Sequence, residues 1–304
     1  MPQSAASANR FAEFATALLP FWYLGLSALI YIAMRKTLRA VLLKRTLHLL
    51  PYTLLTLAGG RFTQDITPAV ALAAVSSFLI AYSVALQNDY YDAREGEHKR
   101  SVERCDVEFF LILSGAFLVW MTLLRQMAVL PLILIFSLGI LYNFPIFRLK
   151  KYFPGAQKVE GMGALMFFLT GVMVFDRALI RPPVLLIALL LFGGWSVLVS
   201  WKDLKDIRND VRLGYQNLYT FLMRKGRSLS QAHRLSTILG VVCLSVPVLY
   251  AVLTKQYAAA AVITLTGFIP IVVLSYYPTM QNWFKYVLLS FCILLIDCMI
   301  FLKI

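Results

Sequence analysis

Charged side chains are scarce in this sequence of 304 residues, and this scarcity excludes an ordinary soluble domain. Asp, Glu, Lys and Arg make up 14% of the residues and 60% are hydrophobic, whereas charged residues make up about 25% of a typical soluble domain. Apolar runs of about 20 residues, long enough to cross a bilayer, recur along the chain. Long linkers rich in Gly, Ser or Pro are also missing, so the sequence predicts one membrane domain.

Cysteines and acidic residues are also few. The four cysteines form no CxxC pair and no Cys/His ligand spacing, so we expect neither a zinc site nor a disulfide framework. The chain has 15 acidic and 29 basic residues, which gives a net charge of +14. Its Lys and Arg residues gather beside the ends of the apolar runs, where anionic lipid headgroups lie. We therefore expect membrane lipids, and no nucleic acid, as partners.

Hydropathy predicts ten transmembrane spans and their orientation. The second span is the weakest because it contains Arg45 and His48. Alternate connecting segments carry 22 and 7 of the 29 basic residues, so the positive-inside rule makes the first group cytoplasmic. An even number of spans then places both termini on the opposite side. The spans are residues 12–34, 44–60, 67–87, 108–124, 127–146, 160–175, 183–201, 235–254, 257–277 and 286–302.

Two acidic motifs follow the third and seventh spans, both on the predicted cytoplasmic side. They read NDYYD at residues 88–92 and KDLKDIRND at residues 202–210. Such a correspondence indicates an internal repeat, in which two helical half-units each contribute one acidic cluster. The aligned pairs are Asp89 with Asp203, Asp92 with Asp206, and Gly96 with Asp210.

The spacing of the acidic residues predicts a metal site. Positions i, i+3 and i+7 share one face of a helix, so Asp203, Asp206 and Asp210 are expected to point together. Crowded carboxylates at a membrane boundary repel one another, and a hard divalent cation removes this repulsion. Mg²⁺ often binds one or two carboxylates together with substrate phosphates, so we predict Mg²⁺ and a diphosphate between the motifs. The alternative is two solvated loops whose acids pair with neighbouring Lys and Arg.

A third segment on the same side, YNFPIFRLKK at residues 142–151, supplies cations. Arg148 and Lys150, together with Tyr142, are suited to bind phosphate oxygens and to assist the departure of a leaving group. The alternative is a positively charged anchor after a membrane helix, which needs no ligand.

Together these segments resemble the UbiA superfamily of intramembrane prenyltransferases over about residues 44–302. NDYYD resembles the start of the family's NDxxDxxxD motif, KDLKDIRND its second Asp-rich motif, and residues 142–150 its Tyr…Arg-Leu-Lys segment. The resemblance implies an all-α bundle of about nine core helices in two four-helix halves. Its cavity would open towards lipid, with the active site at the cytoplasmic face. The first span would then be an extra N-terminal transmembrane helix in residues 1–40, ahead of the family domain in residues 41–304.

The sequence departs from the family pattern at a few positions. Gly96 stands where the last Asp of the first motif is expected, and Asn217 stands near a usual Thr. Either Glu95 or Glu97 is expected to replace the missing metal ligand, with Glu95 slightly favoured because the helix need not break to present it.

The resemblance implies a Mg²⁺-dependent transfer of an isoprenyl group from a prenyl diphosphate to a lipophilic or aromatic acceptor. The implied metal ligands are Asn88, Asp89, Asp92, Asp203, Asp206 and Asp210. The implied catalytic residues are Asp203, Lys202, Tyr142, Arg148 and Lys150. One alternative is a UbiA-type terpene cyclase that acts without a second substrate. Another is a transporter or lipid-binding protein, although transporter sites usually lie near the midplane of the membrane. The acceptor, the prenyl chain length and the oligomeric state stay open.

One acidic residue lies apart from the motifs. Asp297 falls within the last predicted span, where an ionised carboxylate is costly and often functional. We favour the other interpretation, a side chain that is protonated or hydrogen-bonded inside the bundle.

Overall fold

Helices joined by short turns make up most of the described chain. The computed structural model describes residues 26–27, 29–33, 35–63, 66–94, 102–123, 127–174, 182–205, 207–278 and 283–302, and no strand occurs within these ranges. Most of the predicted first span, residues 95–97 and Asp206 lie outside them.

The first long helices contain runs that are rich in Leu, Ala, Ile, Val and Phe. A bilayer offers no water to backbone N–H and C=O groups, so such runs must satisfy these groups within a helix. Pro68 stands at the first position of its helix, where a missing N–H costs nothing. These helices are α1 (Lys36–Thr63), α2 (Pro68–Arg94), α3 (Arg104–Leu123) and α4 (Val129–Asn143).

The rest of the chain adds further long helices and several short polar elements. A 3₁₀ turn, Leu149–Lys151, leads into α5 (Gly155–Met173) and α6 (Pro182–Trp201). A second 3₁₀ turn, Lys202–Lys205, precedes the short helices α7 (Ile207–Leu213) and α8 (Leu218–Arg224). The remaining helices are α9 (Leu229–Leu244), α10 (Val246–Leu253), α11 (Tyr257–Val262), α12 (Ile269–Ser275) and α13 (Trp283–Phe301).

The described helices confirm a multi-pass, all-α membrane protein. Helix α1 contains the predicted span 44–60 and α5 contains most of the predicted span 160–175, but neither helix is among the described stretches apolar enough to cross a membrane. Both pack against several other helices, so protein replaces lipid around much of their surface. The number of core helices stays a prediction. The apolar stretches are Pro68–Arg94, Arg104–Leu123, Leu186–Leu204, Leu229–Leu253, Tyr257–Ser275 and Trp283–Phe301.

Helices α1 and α5 form the central pair of the bundle. They cross so closely that a Cβ atom at Gly59 would overlap the backbone oxygen of Phe168, and one at Gly171 would overlap that of Thr56. Small residues at a crossing let two membrane helices approach backbone to backbone. Helix α1 also packs on α2 and α13, and α5 packs on α4 and α6. A cavity beside this pair is therefore bordered by helices from both the N-terminal and the C-terminal half of the chain.

The segment that precedes α1 docks on the start of α3. The Arg35 guanidinium lies 2.6 Å from the Glu103 carboxylate and 3.1 Å from Asp106, and the Tyr31 hydroxyl donates to Asp106 at 2.9 Å. The hydrogen bond from Arg35 holds the pKa of Glu103 below its usual range. The extra N-terminal helix stays a prediction, because residues 1–25 lie outside the described part. The predicted boundary at residue 40 falls within α1.

Asp297 is buried and hydrogen-bonded, as the favoured interpretation of the sequence requires. The Thr266 hydroxyl donates to its carboxyl group. Thr266 belongs to a π-helical turn, Ile263–Phe268, that joins α11 to α12. In that turn Gly267 lies so close to the backbone of Leu294 that a Cβ would come within 2.7 Å of the Leu294 Cα. The carboxyl therefore links this turn to α13 inside the bundle.

Candidate active site

A cavity of about 510 Å³ lies beside the central helix pair, bordered by α1, α2, α4, α5, α6 and α13. Polar side chains from the ends of the helices surround its mouth, and apolar side chains from the helix interiors line the rest. The carboxylate and amide side chains at the mouth are Asn88, Asp92, Asp203, Asp210 and Asn217. The apolar lining includes Ile80, Val84, Ile135, Phe167, Trp195 and Leu288.

The two aspartates of the first motif separate onto different faces of α2. This helix continues to Arg94, so both residues lie in its last two turns. Asp92 lines the cavity. Asp89 instead forms a two-pronged ion pair with Arg45 of α1, in which two of the three guanidinium nitrogens, Nε and Nη2, donate to the two carboxylate oxygens. Residues three apart differ by about 60° around a helix, and the nearby α1 binds the one that faces it.

Asp92 is the meeting point of the first motif and the cationic segment. Its carboxylate accepts a hydrogen bond from Asn88 Nδ2 at 2.7 Å and lies 3.2 Å from the Arg148 guanidinium. Lys150 Nζ also forms an ion pair with it. Because Asp92 is only 3% exposed, these contacts replace the water that its charge would otherwise require. The structure thus brings together four predicted site residues, Asn88, Asp92, Arg148 and Lys150.

The turn after α4 places the two cations. Asn143, at the end of α4, donates from its side chain to the backbone oxygen of Val84 at 2.9 Å and so ties α4 to α2. Arg148 then adopts a left-handed backbone conformation, with φ of 38°, which is uncommon for a residue other than glycine. Its N–H donates to the Phe144 oxygen at 2.7 Å, and its guanidinium donates to the Asn143 oxygen at 3.3 Å. These bonds hold the turn in the conformation that directs Arg148 towards Asp92.

The second motif is not a continuous helix, contrary to the expectation that its aspartates share one helical face. Asp203 lies in the 3₁₀ turn after α6, and Asp210 lies in α7. Both residues nevertheless line the cavity, while Asp206 lies outside the described residues. A 3₁₀ turn is wound more tightly than an α-helix, so spacing alone does not predict where such side chains point.

Asn217 connects the second motif to α8. Its Nδ2 donates to the Asp210 carboxylate at 2.7 Å. Its side-chain oxygen accepts from the Thr220 N–H at 2.9 Å, which caps the start of α8. Gly214, with φ of 73°, makes the turn between the two helices. One residue therefore stabilises a helix and orients a carboxylate at the mouth.

Lys202 pairs with an acid from another helix. Its Nζ lies 3.2 Å from Glu160 Oε1, and Glu160 Oε2 accepts a hydrogen bond from the Tyr52 hydroxyl at 2.7 Å. Lys202, Glu160 and Tyr52 all line the cavity, as does Tyr142. Tyr142 and Lys202 thus occupy the predicted site.

The loops of the two halves meet over the mouth. The Gln216 N–H donates to the Lys151 oxygen at 2.9 Å. The ammonium groups of Lys150 and Lys151 lie 5.7 Å and 5.4 Å from the centre of the Tyr215 ring. This distance allows an attractive cation–π contact. The loop that follows the second motif therefore helps to position the cations that serve the first.

Three further residues lie at the site although no motif contains them. Arg45, Tyr52 and Glu160 each border the cavity. Their signal in the sequence is weak, because it consists only of a polar side chain within or beside an apolar run. Arg45 weakened the second predicted span, and Glu160 stands at the first residue of the sixth. Only the packing of α1 against α2 and α5, and of α5 against the end of α6, shows what they contact.

The side chains at the mouth fit a metal–diphosphate pair better than a bare metal ion. Among the described residues, no three Asp, Glu, His or Cys side chains come close enough to hold a metal ion by themselves. The atoms at the mouth that could bind a metal are carboxylate and amide oxygens, which suit Mg²⁺, and cationic side chains lie beside them. Mg²⁺ needs only one or two carboxylates when phosphates supply further oxygens.

A comparison with protein families agrees with this arrangement. The model of the UbiA prenyltransferase family matches residues 48–296, which is most of the chain. The chain belongs to this family. The match extends from α1 to α13 and includes both acidic motifs, so the predicted resemblance is confirmed. Among curated proteins, no sequence matches this chain.

Solved structures of UbiA homologues share the fold. The apo homologue from Aeropyrum pernix K1 has a TM-score of 0.59 at 16% identity, covering 84% of this chain and 96% of that one. The Archaeoglobus fulgidus homologue bound to DMAPP and Mg²⁺ has a TM-score of 0.53 at 14% identity, covering 84% and 99%. A structure described as digeranylgeranylglyceryl phosphate synthase has a TM-score of 0.53 at 16% identity, covering 86% and 99%. At these identities the likeness establishes the fold.

Proposed function

We propose that this protein is a Mg²⁺-dependent intramembrane prenyltransferase that moves an isoprenyl group from a prenyl diphosphate to a lipophilic or aromatic acceptor. The observation that carries the proposal is one cavity with acids and cations at its mouth and apolar side chains inside. Such a cavity matches a donor with a charged head and an apolar tail. Membership of the UbiA family and the homologue bound to DMAPP and Mg²⁺ support the same reaction.

The mouth would bind the diphosphate. Asn88, Asp92, Asp203 and Asp210 would hold Mg²⁺, which neutralises the diphosphate and stabilises the leaving pyrophosphate when bound. Arg148 and Lys150 would contact phosphate oxygens directly. Lys202 and Tyr142 would bind the diphosphate from the α4 and α6 side of the cavity.

Asp89 and Asp206 are also proposed Mg²⁺ ligands, but neither is among the described residues that line the cavity. Asp89 faces Arg45, so its proposed contribution to the metal requires that ion pair to open or to share the carboxylate. Asp206 lies outside the described residues and stays a ligand on the basis of the motif alone.

The apolar part of the cavity would hold the isoprenyl chain. Cleavage of the bond between the prenyl carbon and the diphosphate oxygen leaves an allylic cation, which water would quench. Phe167, Trp195 and Ile135 exclude water from the region where this cation would form. The faces of Phe167 and Trp195 would also stabilise it by cation–π attraction. The acceptor then captures the cation through an electron pair, forms the new bond and loses a proton, and pyrophosphate departs.

The proposed active site faces the cytoplasm. Its mouth is built by residues 88–92, 148–150 and 202–217, which belong to the segments that carry most of the Lys and Arg residues between spans. Such segments stay on the cytoplasmic side of the membrane. Labelling of single cysteines placed in these loops, in cells and in inverted vesicles, tests this orientation.

Purified protein with Mg²⁺ and prenyl diphosphates of several chain lengths tests the reaction, with pyrophosphate release measured with and without membrane extract. We expect release that depends on the extract, together with a prenylated lipophilic product. The absence of release with every donor would contradict the proposal. A cyclic hydrocarbon or alcohol formed from the donor alone would identify a terpene cyclase. Lipid binding that is unchanged when all five motif aspartates are replaced by Asn, without any pyrophosphate release by the native protein, would instead favour a binding or transport protein.

A further inference from the structure

Helix α5 presents two polar side chains to the cavity that belong to neither acidic motif. Gln157 and Glu160 are one turn apart on the same face of the helix, and both line the cavity. Gly161 allows α5 to approach α6 closely, because a Cβ there would overlap the Ser196 hydroxyl. This close approach brings Glu160 within 3.2 Å of Lys202.

Glu160 retains capacity for another hydrogen bond. One carboxylate oxygen accepts from Tyr52 at 2.7 Å, and the other faces Lys202. A carboxylate offers about four acceptor positions, so two contacts do not saturate it. Its side chain is 19% exposed, in the cavity that it lines. The Tyr52 ring packs at 5.3 Å against Trp195 and at 5.0 Å against Phe167, which fixes the orientation of its hydroxyl.

Gln157 gives an independent indication of a missing ligand. It is 9% exposed, and within the described part of the chain its side-chain oxygen has no hydrogen-bond partner. Leaving a buried acceptor without a partner is unfavourable. Because Gln157 lies about 4.5 Å from Glu160 along the helix axis, one ligand group of modest size reaches both.

We propose that Gln157 and Glu160 bind the polar group of the acceptor, which donates an O–H or N–H hydrogen bond to Glu160. This assignment rests on the proposed prenyl transfer. An ionised diphosphate, which the neighbouring Lys202 is proposed to bind, has no O–H or N–H group to donate to Glu160, and an isoprenyl chain has no donor at all. The prenyl acceptor is the one reactant that can donate a hydrogen bond to the oxygens of Gln157 and Glu160 in the cavity.

The same residues argue for transfer rather than cyclisation. A cyclase needs an apolar surface around the whole cation, and a carboxylate there would capture or deprotonate it early. Glu160 is linked to the Phe167 and Trp195 rings through Tyr52, which donates to its carboxylate and packs on both rings, so it borders the region where the proposed cation would form. A second substrate that covers Glu160 with its own donor removes this conflict.

A matched pair of probes tests the assignment. 4-Hexylphenol and 4-hexylanisole have the same alkylphenyl body, but only the phenol has an O–H group. Binding is measured by calorimetry on the purified full chain in nanodiscs. We expect the native protein to bind the phenol at least about tenfold more tightly than the anisole, because a hydrogen bond to a charged group has this strength. Equal binding of the two probes by the native protein would overturn the proposal.

Two variants and one control locate the effect. Glu160→Gln keeps the shape of the side chain but removes its charge, and we expect the preference for the phenol to fall to about threefold or less. Gln157→Leu removes the second acceptor and should reduce the preference less. Thr53→Val is the control, because the Thr53 hydroxyl is buried without a partner in the described structure, is next to Tyr52 in sequence, and does not line the cavity.

The outcomes separate this inference from the proposed reaction. An unchanged preference in both variants would overturn the acceptor assignment, even if native pyrophosphate release were normal. A native protein that prefers the phenol but cleaves no prenyl diphosphate would instead contradict the proposed function. A purely structural Glu160 would lower the melting temperature without changing the ratio of the two affinities. If Glu160→Gln does not fold, the native protein and Gln157→Leu decide the matter.

Discussion

Helix α2 continues unbroken through the first acidic motif, whereas the second motif starts in a 3₁₀ turn and ends in a separate short helix. The aligned residues Asp89 and Asp203 therefore differ in surroundings. Asp203 lines the cavity, and Asp89 is bound to Arg45 of a neighbouring helix. The first motif is held by ion pairs, the second by a helix cap and a tight turn. Two copies of one motif can thus contribute different groups to one site.

Removal of the metal tests what the two motifs have in common, and we expect its effect to be the largest. EDTA should reduce pyrophosphate release to background, because the facing carboxylates and the diphosphate repel one another without Mg²⁺. Excess Mg²⁺ should restore the activity. Full turnover in the chelator would show that neither motif holds a catalytic metal.

Replacement of the second-motif carboxylate should come next in size. Asp203→Asn should lower turnover about 100-fold or more, which is typical of losing one preorganised electrostatic group at a reacting centre. The melting temperature should change little, because Asp203 lies at the cavity mouth in a half-buried position. Pyrophosphate release and a thermal unfolding curve check the two parts. A loss of folding that parallels the loss of turnover would argue for a structural role.

In the first motif, changes to Asp89, the residue aligned with Asp203, and to its partner Arg45 should act on stability as well as on catalysis. Asp89 is buried, so Arg45→Met leaves a desolvated carboxylate without its partner and should cost about 3 kcal/mol. Asp89→Asn leaves Arg45, which is more exposed, and should cost less. The double variant should recover part of the loss of the Arg45→Met protein, as thermal unfolding will show.

A Mg²⁺ titration of the same Asp89→Asn protein distinguishes the two roles of this residue. A raised Mg²⁺ requirement would show that Asp89 also serves as a metal ligand. An unchanged requirement would restrict Asp89 to its ion pair with Arg45, and the first motif would then contribute Asn88 and Asp92 alone.

Asn217 offers a smaller test on the side of the second motif. Asn217→Ala removes the cap of α8, at a cost of about 1 kcal/mol, and also removes the hydrogen bond that Asn217 donates to Asp210. We therefore expect a modest loss of stability and a higher Mg²⁺ concentration for half-maximal activity. Ser228→Ala is the matched control, since it removes the same kind of cap from α9 without contacting the cavity. An equal shift of the Mg²⁺ titration in both variants would contradict a role through Asp210.

Asp297 should give the smallest effect, because it belongs to neither motif. Asp297→Asn keeps an oxygen that accepts the hydrogen bond from Thr266, so we expect more than about a tenth of the activity to remain. A complete loss in the pyrophosphate assay, with unchanged folding, would show that this carboxylate has a function of its own.

The sequence alone determines that this protein is an all-α membrane protein, and it predicts the membrane face that bears its site. Apolar runs and helical spacing are local properties, so they predict the all-α membrane bundle and the motifs at helix ends. The same spacing does not reveal that α6 ends in a 3₁₀ turn, because the choice between two kinds of turn depends on packing. That Glu95 or Glu97 supplies the metal ligand missing at Gly96 stays a prediction, because these three residues lie outside the described structure.

Only the tertiary structure decides which polar groups meet. Arg45 and Asp89 are 44 residues apart in the chain, and Tyr52 and Glu160 are 108 apart. No local pattern encodes such pairs, because they depend on how the helices pack. Gly59 and Gly171 permit the close crossing of α1 and α5 that brings Tyr52 to Glu160, and Gly161 permits that of α5 and α6. Side chains at these positions would move α5 away from α1 and α6, and with it the carboxylate inside the cavity.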